Sequence, residues 1–184
     1  MIGPSGDHYS ARPMPDPRDD LVRRMREVSE LHGDFVLSSG RRSTVYFDKF
    51  RFLTRADLLR AVAHEVAGLL ADGTTTLGAP EGAAMLLAAA VSLETELPVV
   101  VVRKHAKEYG TRATIEGELT PGAVITLIED VGTTGNQVRR AAEALTAAGA
   151  EVRRIVLALD RGGGAVLRRA GYDAEAVAVL PTET

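Results

Sequence analysis

Continuous β-branched runs that alternate with helix-forming stretches predict one α/β domain built on a mostly parallel sheet flanked by helices. Pro98-Val99-Val100-Val101-Val102, Val124-Ile125-Thr126-Leu127-Ile128 and Ile155-Val156-Leu157-Ala158-Leu159 are apolar at nearly every position. A strand covered on both faces needs that pattern. A chain of 184 residues has room for one full core and is too short for two ordinary domains. No internal repeat and no linker interrupts it.

Taken in order, residues 1–16 carry Gly3, Pro4, Gly6, Pro13 and Pro15 without an apolar period, which reads as a mobile tail. The single domain is expected over 17–184. Leu21, Met25, Val28 and Leu31 recur at helical spacing and predict an amphipathic helix stopped by Gly33. Phe35–Leu37 and Thr44–Phe52 read as extended runs around the turn Ser39-Gly40-Arg41. Ala56–Leu70 reads as a helix with Thr54 as its N-cap. Thr75–Leu77 is expected as a short strand, Ala83–Leu93 as a buried Ala-rich helix, and a helix with Val138, Ala141, Ala142 and Leu145 closes at Gly149. Gly162-Gly163-Gly164 reads as a flexible turn, and Val177–Leu180 as a last edge strand.

Composition removes several function classes. Hydrophobic residues at 45% and charged residues at 26% belong to a globular chain. The net charge of −3 lacks the basic footprint of non-specific nucleic-acid binding. Zero cysteines leave no disulfide framework, thiolate metal site or cysteine nucleophile. No apolar stretch is long enough to span a bilayer and no signal pattern opens the chain, so a soluble, cytoplasmic protein without membrane or nucleic-acid partners is expected. No histidine pair has metal-ligand spacing: His32 reads as a helix C-terminal cation, His64 as a helix-surface residue, His8 lies in the tail and His105 in a basic loop.

Two strand ends carry unusual chemistry, at the edge where open parallel sheets bind ligands. The first runs from Ile128 into Glu129-Asp130-Val131-Gly132-Thr133-Thr134-Gly135-Asn136-Gln137 and then a helix. Adjacent carboxylates at a buried strand end are costly unless a cation or hydroxyl meets them. The Thr-Thr-Gly-Asn turn supplies backbone N–H groups and hydroxyls at a helix N-terminus, a phosphate cradle. A plain N-cap loop with two solvated acids fits the same residues equally well. The second is Arg103-Lys104-His105-Ala106-Lys107-Glu108-Tyr109-Gly110, which leads a polar loop to about Glu118. Alone it is a solvated basic loop; beside a phosphate turn it reads as a lid over a polyanion. Lys49 and Arg51, flanking Phe50, suit either a substrate-facing role or an exposed edge strand.

From Asp34 to Gly163 these residues resemble the type I phosphoribosyltransferases and, within them, the orotate phosphoribosyltransferases. Glu129 to Gln137 after an apolar strand is similar to the motif for 5-phosphoribosyl 1-pyrophosphate (PRPP). Arg103-Lys104-x-x-Lys107-x-Tyr109-Gly110 with Ile115-Glu116-Gly117 is similar to the orotate enzymes' lid. Ser39-Gly40-x-x-Ser43-x-x-Tyr46-Phe47-Asp48 resembles the segment over the orotate ring, and Asp160-Arg161 the pair whose arginine grips the orotate carboxylate.

The resemblance implies the type I fold with a hood at about 33–53 and a mobile lid at about 104–118. It implies transfer of the phosphoribosyl group to orotate in pyrimidine biosynthesis. Lys107, Glu129 and Asp130 would be catalytic, and Arg103, Lys104, Lys107, Tyr109 and the run Glu129, Asp130, Val131, Gly132, Thr133, Thr134, Gly135, Asn136 and Gln137 would bind PRPP. Tyr46, Phe47, Thr133 and Arg161 would hold orotate. Magnesium (Mg2+) would be held by PRPP and water without direct protein ligands, and a homodimer would share its active sites through the lid cations.

Three positions depart from the family pattern. Ser38 stands where a lysine is usual, Glu81 where an aromatic or basic residue is common, and Gly132 replaces a branched aliphatic residue, which would loosen the turn. A carboxylate at Glu81 would repel pyrophosphate. The departures leave open transfer to another acceptor, or a non-catalytic PRPP-binding regulator on the same fold.

Overall fold

A computed structural model describes residues 17–36, 40, 42–104 and 114–180. The expected tail, Ser38, His105, Lys107 and Tyr109 lie outside the described residues. The chain opens with helix α1 (Pro17–Ser29), strands β1 (Glu30–Val36) and β2 (Arg42–Phe47), the short helix α2 (Phe50–Leu53) and helix α3 (Ala56–Ala67). Then follow β3 (Thr76–Pro80), α4 (Ala84–Thr95), β4 (Val99–Val102), β5 (Ile115–Glu116), β6 (Val124–Gly132), α5 (Asn136–Ala147), β7 (Glu151–Asp160), α6 (Gly163–Arg169) and β8 (Ala174–Val179).

Six strands form the central sheet in the order β5-β4-β3-β6-β7-β8. All neighbours run parallel except β5, which is antiparallel to β4. Strand order reverses on either side of β3, since β4 lies to one side and β6 to the other. One face buries Leu77, Ile128, Val156 and Ala158 against α1, α2, α3 and α4. The other buries Val100, Ile125, Leu127 and Leu157 against α5 and α6. That double cover is why the strands read as unbroken apolar runs. A separate antiparallel pair, β1 and β2, forms the hood. Among the described residues no helix is long and apolar enough to cross a membrane.

The N-terminal third differs from its sequence reading. The first helix ends at Ser29, and Glu30–Val36 is a strand that contains Gly33, so His32 is an exposed strand residue with Nε2 3.2 Å from Glu30 Oε1. The run expected to stay extended to Phe52 turns helical at Phe50, because α2 buries Phe52 and Leu53 in the core. Fully burying such side chains contributes roughly 1.5–3 kcal/mol each, enough to outweigh the strand preference of the aromatics. Thr54 is not the N-cap of α3; Arg55 occupies that place, and Thr54 closes α2 by donating its hydroxyl to the Phe50 carbonyl at 2.6 Å. His64 is an exposed helix residue, as expected, with Nδ1 2.6 Å from Glu94 Oε1.

Candidate active site

Parallel strands gather their carboxyl ends on one edge, and the chemistry-bearing residues follow from that geometry. Glu81 follows β3, Arg103 and Lys104 follow β4, Glu129–Gly132 end β6, and Asp160 and Arg161 end β7. The reversal of strand order beside β3 opens the crevice between β3 and β6, where such sheets take ligands.

β6 does not end at Ile128. It pairs with β7 as far as Gly132 opposite Asp160, so Glu129 and Asp130 are sheet residues and buried, at 5% and 1% exposure. Burial first, and then the neighbouring Asp130 charge, push the Glu129 carboxyl up to about 8. Solvated acids would not behave so. The Asp130 carboxylate takes the Lys49 ammonium at 2.9 Å on one oxygen and 2.8 Å on the other, and also accepts the Val131 amide at 2.5 Å. Lys49, left open by the sequence, is therefore a site residue.

Past Gly132 the chain turns through exposed Thr133 and Thr134 to Gly135, whose φ of +69° starts α5. No acid lies in the first turn of α5, whose partial positive charge is met, among the described residues, only by the Thr134 hydroxyl, which accepts the Asn136 amide at 3.4 Å. The expectation that Gly132 loosens this turn is overturned: a Cβ there would stand 2.6 Å from Leu157 Cδ1, and one on Gly163 would stand 2.7 Å from the Gly132 carbonyl carbon. The end of β6 and the start of α6 touch backbone to backbone. Gly162-Gly163-Gly164 is likewise no flexible turn. Asp160 Oδ1 accepts the amides of Gly162 at 2.8 Å and Gly164 at 2.9 Å, starting α6.

Arg161 follows directly. Its amide donates to the Gly132 carbonyl at 2.8 Å, and its guanidinium lies 5.5 Å from the centre of the Phe47 ring. Its Nε is buried without a hydrogen-bond partner. An unpaired buried donor on a cation is costly and points to an anionic ligand. The structure thus brings Phe47 and Arg161 together. Tyr46, on the opposite side of β2 by strand alternation, is exposed and packs on Phe35 with ring centres 5.5 Å apart.

The β3 and β4 ends form the remaining rim. Glu81 Oε1 accepts the Lys104 amide at 2.9 Å, and its Oε2 lies 3.9 Å from Arg103. Arg103 lies 3.8 Å from Glu116 as well. Gln137 reaches across from α5 and donates to the Glu81 carbonyl at 3.3 Å. Glu81 is therefore turned toward the base of the cationic loop, where the Lys104 amide and the Arg103 guanidinium offset part of the repulsion its charge predicts.

No family model matches the chain. An orotate phosphoribosyltransferase of Nocardioides is 51% identical over 141 residues, covering 77% of this chain and 79% of the relative. A crystal structure of the Mycobacterium tuberculosis orotate phosphoribosyltransferase with Fe(III) dicitrate superposes with a TM-score of 0.77 at 29% identity, covering 89% of this chain and 96% of that one. The same Mycobacterium enzyme in complex with PRPP superposes with a TM-score of 0.72 at 27% identity, with coverages of 89% and 96%.

Proposed function

The chain belongs to the orotate phosphoribosyltransferase family, and we propose that it transfers the 5-phosphoribosyl group of PRPP to orotate in pyrimidine biosynthesis. The products are orotidine 5′-monophosphate and pyrophosphate. The observation that carries the base assignment is Arg161: a half-buried cation whose Nε is buried and unpartnered, set against the Phe47 ring at the hood, suits a planar ring bearing a carboxylate.

The reaction breaks the C1–pyrophosphate bond and forms a bond from C1 to a ring nitrogen of orotate. Positive charge builds on the ribose and negative charge on the departing pyrophosphate, so electrostatic stabilisation of both is the task. The turn Thr133–Asn136 holds the 5′-phosphate on amides and hydroxyls. Glu129 and Asp130, in the floor between that turn and the hood, bind the ribose hydroxyls; a protonated Glu129 donates, and Asp130, held by Lys49, accepts. Val131 and Gly132 set the turn, and Gln137 braces it against Glu81. Arg103, Lys104 and Lys107 neutralise the leaving pyrophosphate, with Lys107 donating its proton and Tyr109 beside it. Phe47 of the hood, with Thr133, completes the orotate pocket, while Tyr46 packs on Phe35 on the other face of β2.

Among the described residues no three acids or histidines cluster to hold a metal ion, and Asp130 is already engaged by Lys49. That donor set suits magnesium carried by PRPP oxygens and water, the coordination this ion prefers. When bound, it offsets charge on the pyrophosphate.

We further infer a homodimer that shares its sites. Helix α4 supports this: it buries Ala84, Leu87, Ala88 and Val91, yet exposes Met85, Leu86 and Leu93, the last at 87%. A helix apolar around its whole circumference is expected to be covered on both sides. The test of function is the absorbance of orotate with PRPP, with and without magnesium. Magnesium-dependent loss of the orotate band is expected. PRPP binding without any orotate consumption would move the assignment to another acceptor.

A further inference from the structure

Lys49 contacts Asp130 across 81 residues of sequence, and nothing in the local pattern of either residue requires it. We propose that Lys49 is a positioning residue of this site: its ammonium fixes the Asp130 carboxylate in the substrate-free enzyme and keeps the Glu129–Asp130 pair in the charge state that the ribose hydroxyls meet. The inference rests on the reading of these acids as the ribose site.

The geometry behind it is built rather than incidental. Lys49 stands where β2 passes into α2. The Asp48 amide donates to the Ser29 carbonyl at 2.8 Å, and the Asp48 carboxylate accepts the Phe50 amide at 3.1 Å. Phe52 and Leu53, three and four residues on, are anchored in the core at 0% and 1% exposure. The lysine is thus presented from a rigid corner, which a site needs if a group is to be held at hydrogen-bond distance. Its partner is one of the most buried acids in the protein, with a side chain 2% exposed, whereas the Lys49 side chain is 38% exposed. The long arm can withdraw into solvent when hydroxyl groups arrive. The ammonium satisfies the Asp130 carboxylate in the substrate-free chain.

The other charged groups around the pair are committed elsewhere. Asp160 caps α6, Arg161 lies on Phe47, and Glu81 holds the Lys104 amide. Among the described residues Lys49 is the cation that holds Asp130, and it opposes the upward push that burial and Asp130 exert on Glu129. Removing it raises the titration of Glu129; replacing it with another cation does not.

The test uses substrate-free protein carrying 13C-labelled glutamate carboxyls, with the Glu129 resonance assigned through E129Q. In K49M the Glu129 titration is expected to move up by about one pH unit, and in K49R to stay with the wild type. The alkaline limb of the kcat/KM profile for PRPP, where Glu129 loses the proton it donates, should move in the same sense in K49M and return in K49R. K49Q serves as the second neutral variant should K49M not fold. Coincident Glu129 titrations in the wild type and the neutral variant would overturn the role of Lys49, whatever the loss of rate. A titration that moves as expected in an enzyme that turns over no PRPP would support Lys49 as the counter-ion and sink the functional reading instead.

Discussion

Glu129 ties the stability of the fold to pH. Its folded-state value of about 8 lies above the ordinary 4.5, so between those values the folded chain holds a proton that the unfolded chain has lost. Stability from this group is therefore present below about 4.5, declines as pH rises through that window, and is gone above about 8, at up to about 1.4 kcal/mol per pH unit. E129Q should remove that slope. Urea midpoints at pH 5.5, 7 and 8.5 are expected to fall for the wild type relative to E129Q; parallel behaviour would mean that the carboxyl is solvated. Both acids stood out in the sequence because two carboxylates after an apolar run are rare. Their counter-ion did not, because Lys49 is 81 residues away and a contact of that range leaves no local periodicity.

At the level of elements, the end of β6 and the start of α6 are held by glycine against glycine. G163A pushes a methyl to 2.7 Å from the Gly132 carbonyl carbon, and backbone cannot yield as a flexible side chain does. A loss of about 1–3 kcal/mol is expected, read from denaturant or thermal unfolding; an unchanged midpoint would show that the two ends are not in contact. The sheet strands were readable because doubly covered strands must be apolar on both faces, and α5 because its inward residues keep helical spacing. Boundaries were readable only where side chains set them. α2 is four residues of aromatic and aliphatic type, strand-like by propensity, and only its burial of Phe52 and Leu53 makes it a helix. β6 runs through its acids to Gly132 because β7 continues to pair with it, which the change in polarity after Ile128 concealed.

For the whole molecule, the shared-site dimer predicts complementation. K107A and D130N should each be nearly inactive. If Lys107 serves the partner's site, refolding them together in equal amounts should restore about a quarter of wild-type activity, since half the dimers are mixed and each holds one intact site. Each subunit completing its own site would leave the mixture dead. Inactive K107A together with an undimerised wild-type chain in sedimentation would likewise reject sharing.

Two helices, α5 and α6, begin on glycines at this same edge, and only one is open. Asp160 already fills the start of α6 with its own carboxylate, while the first turn of α5 carries no acid. On the proposed reading, an incoming phosphate would be taken at α5 and turned away at α6. That would set which way round an extended substrate with an anionic group at each end lies: phosphate toward α5, and the reacting carbon toward the acid pair. The carboxylate of the second substrate would be left to Arg161, the next residue along from the Asp160 cap.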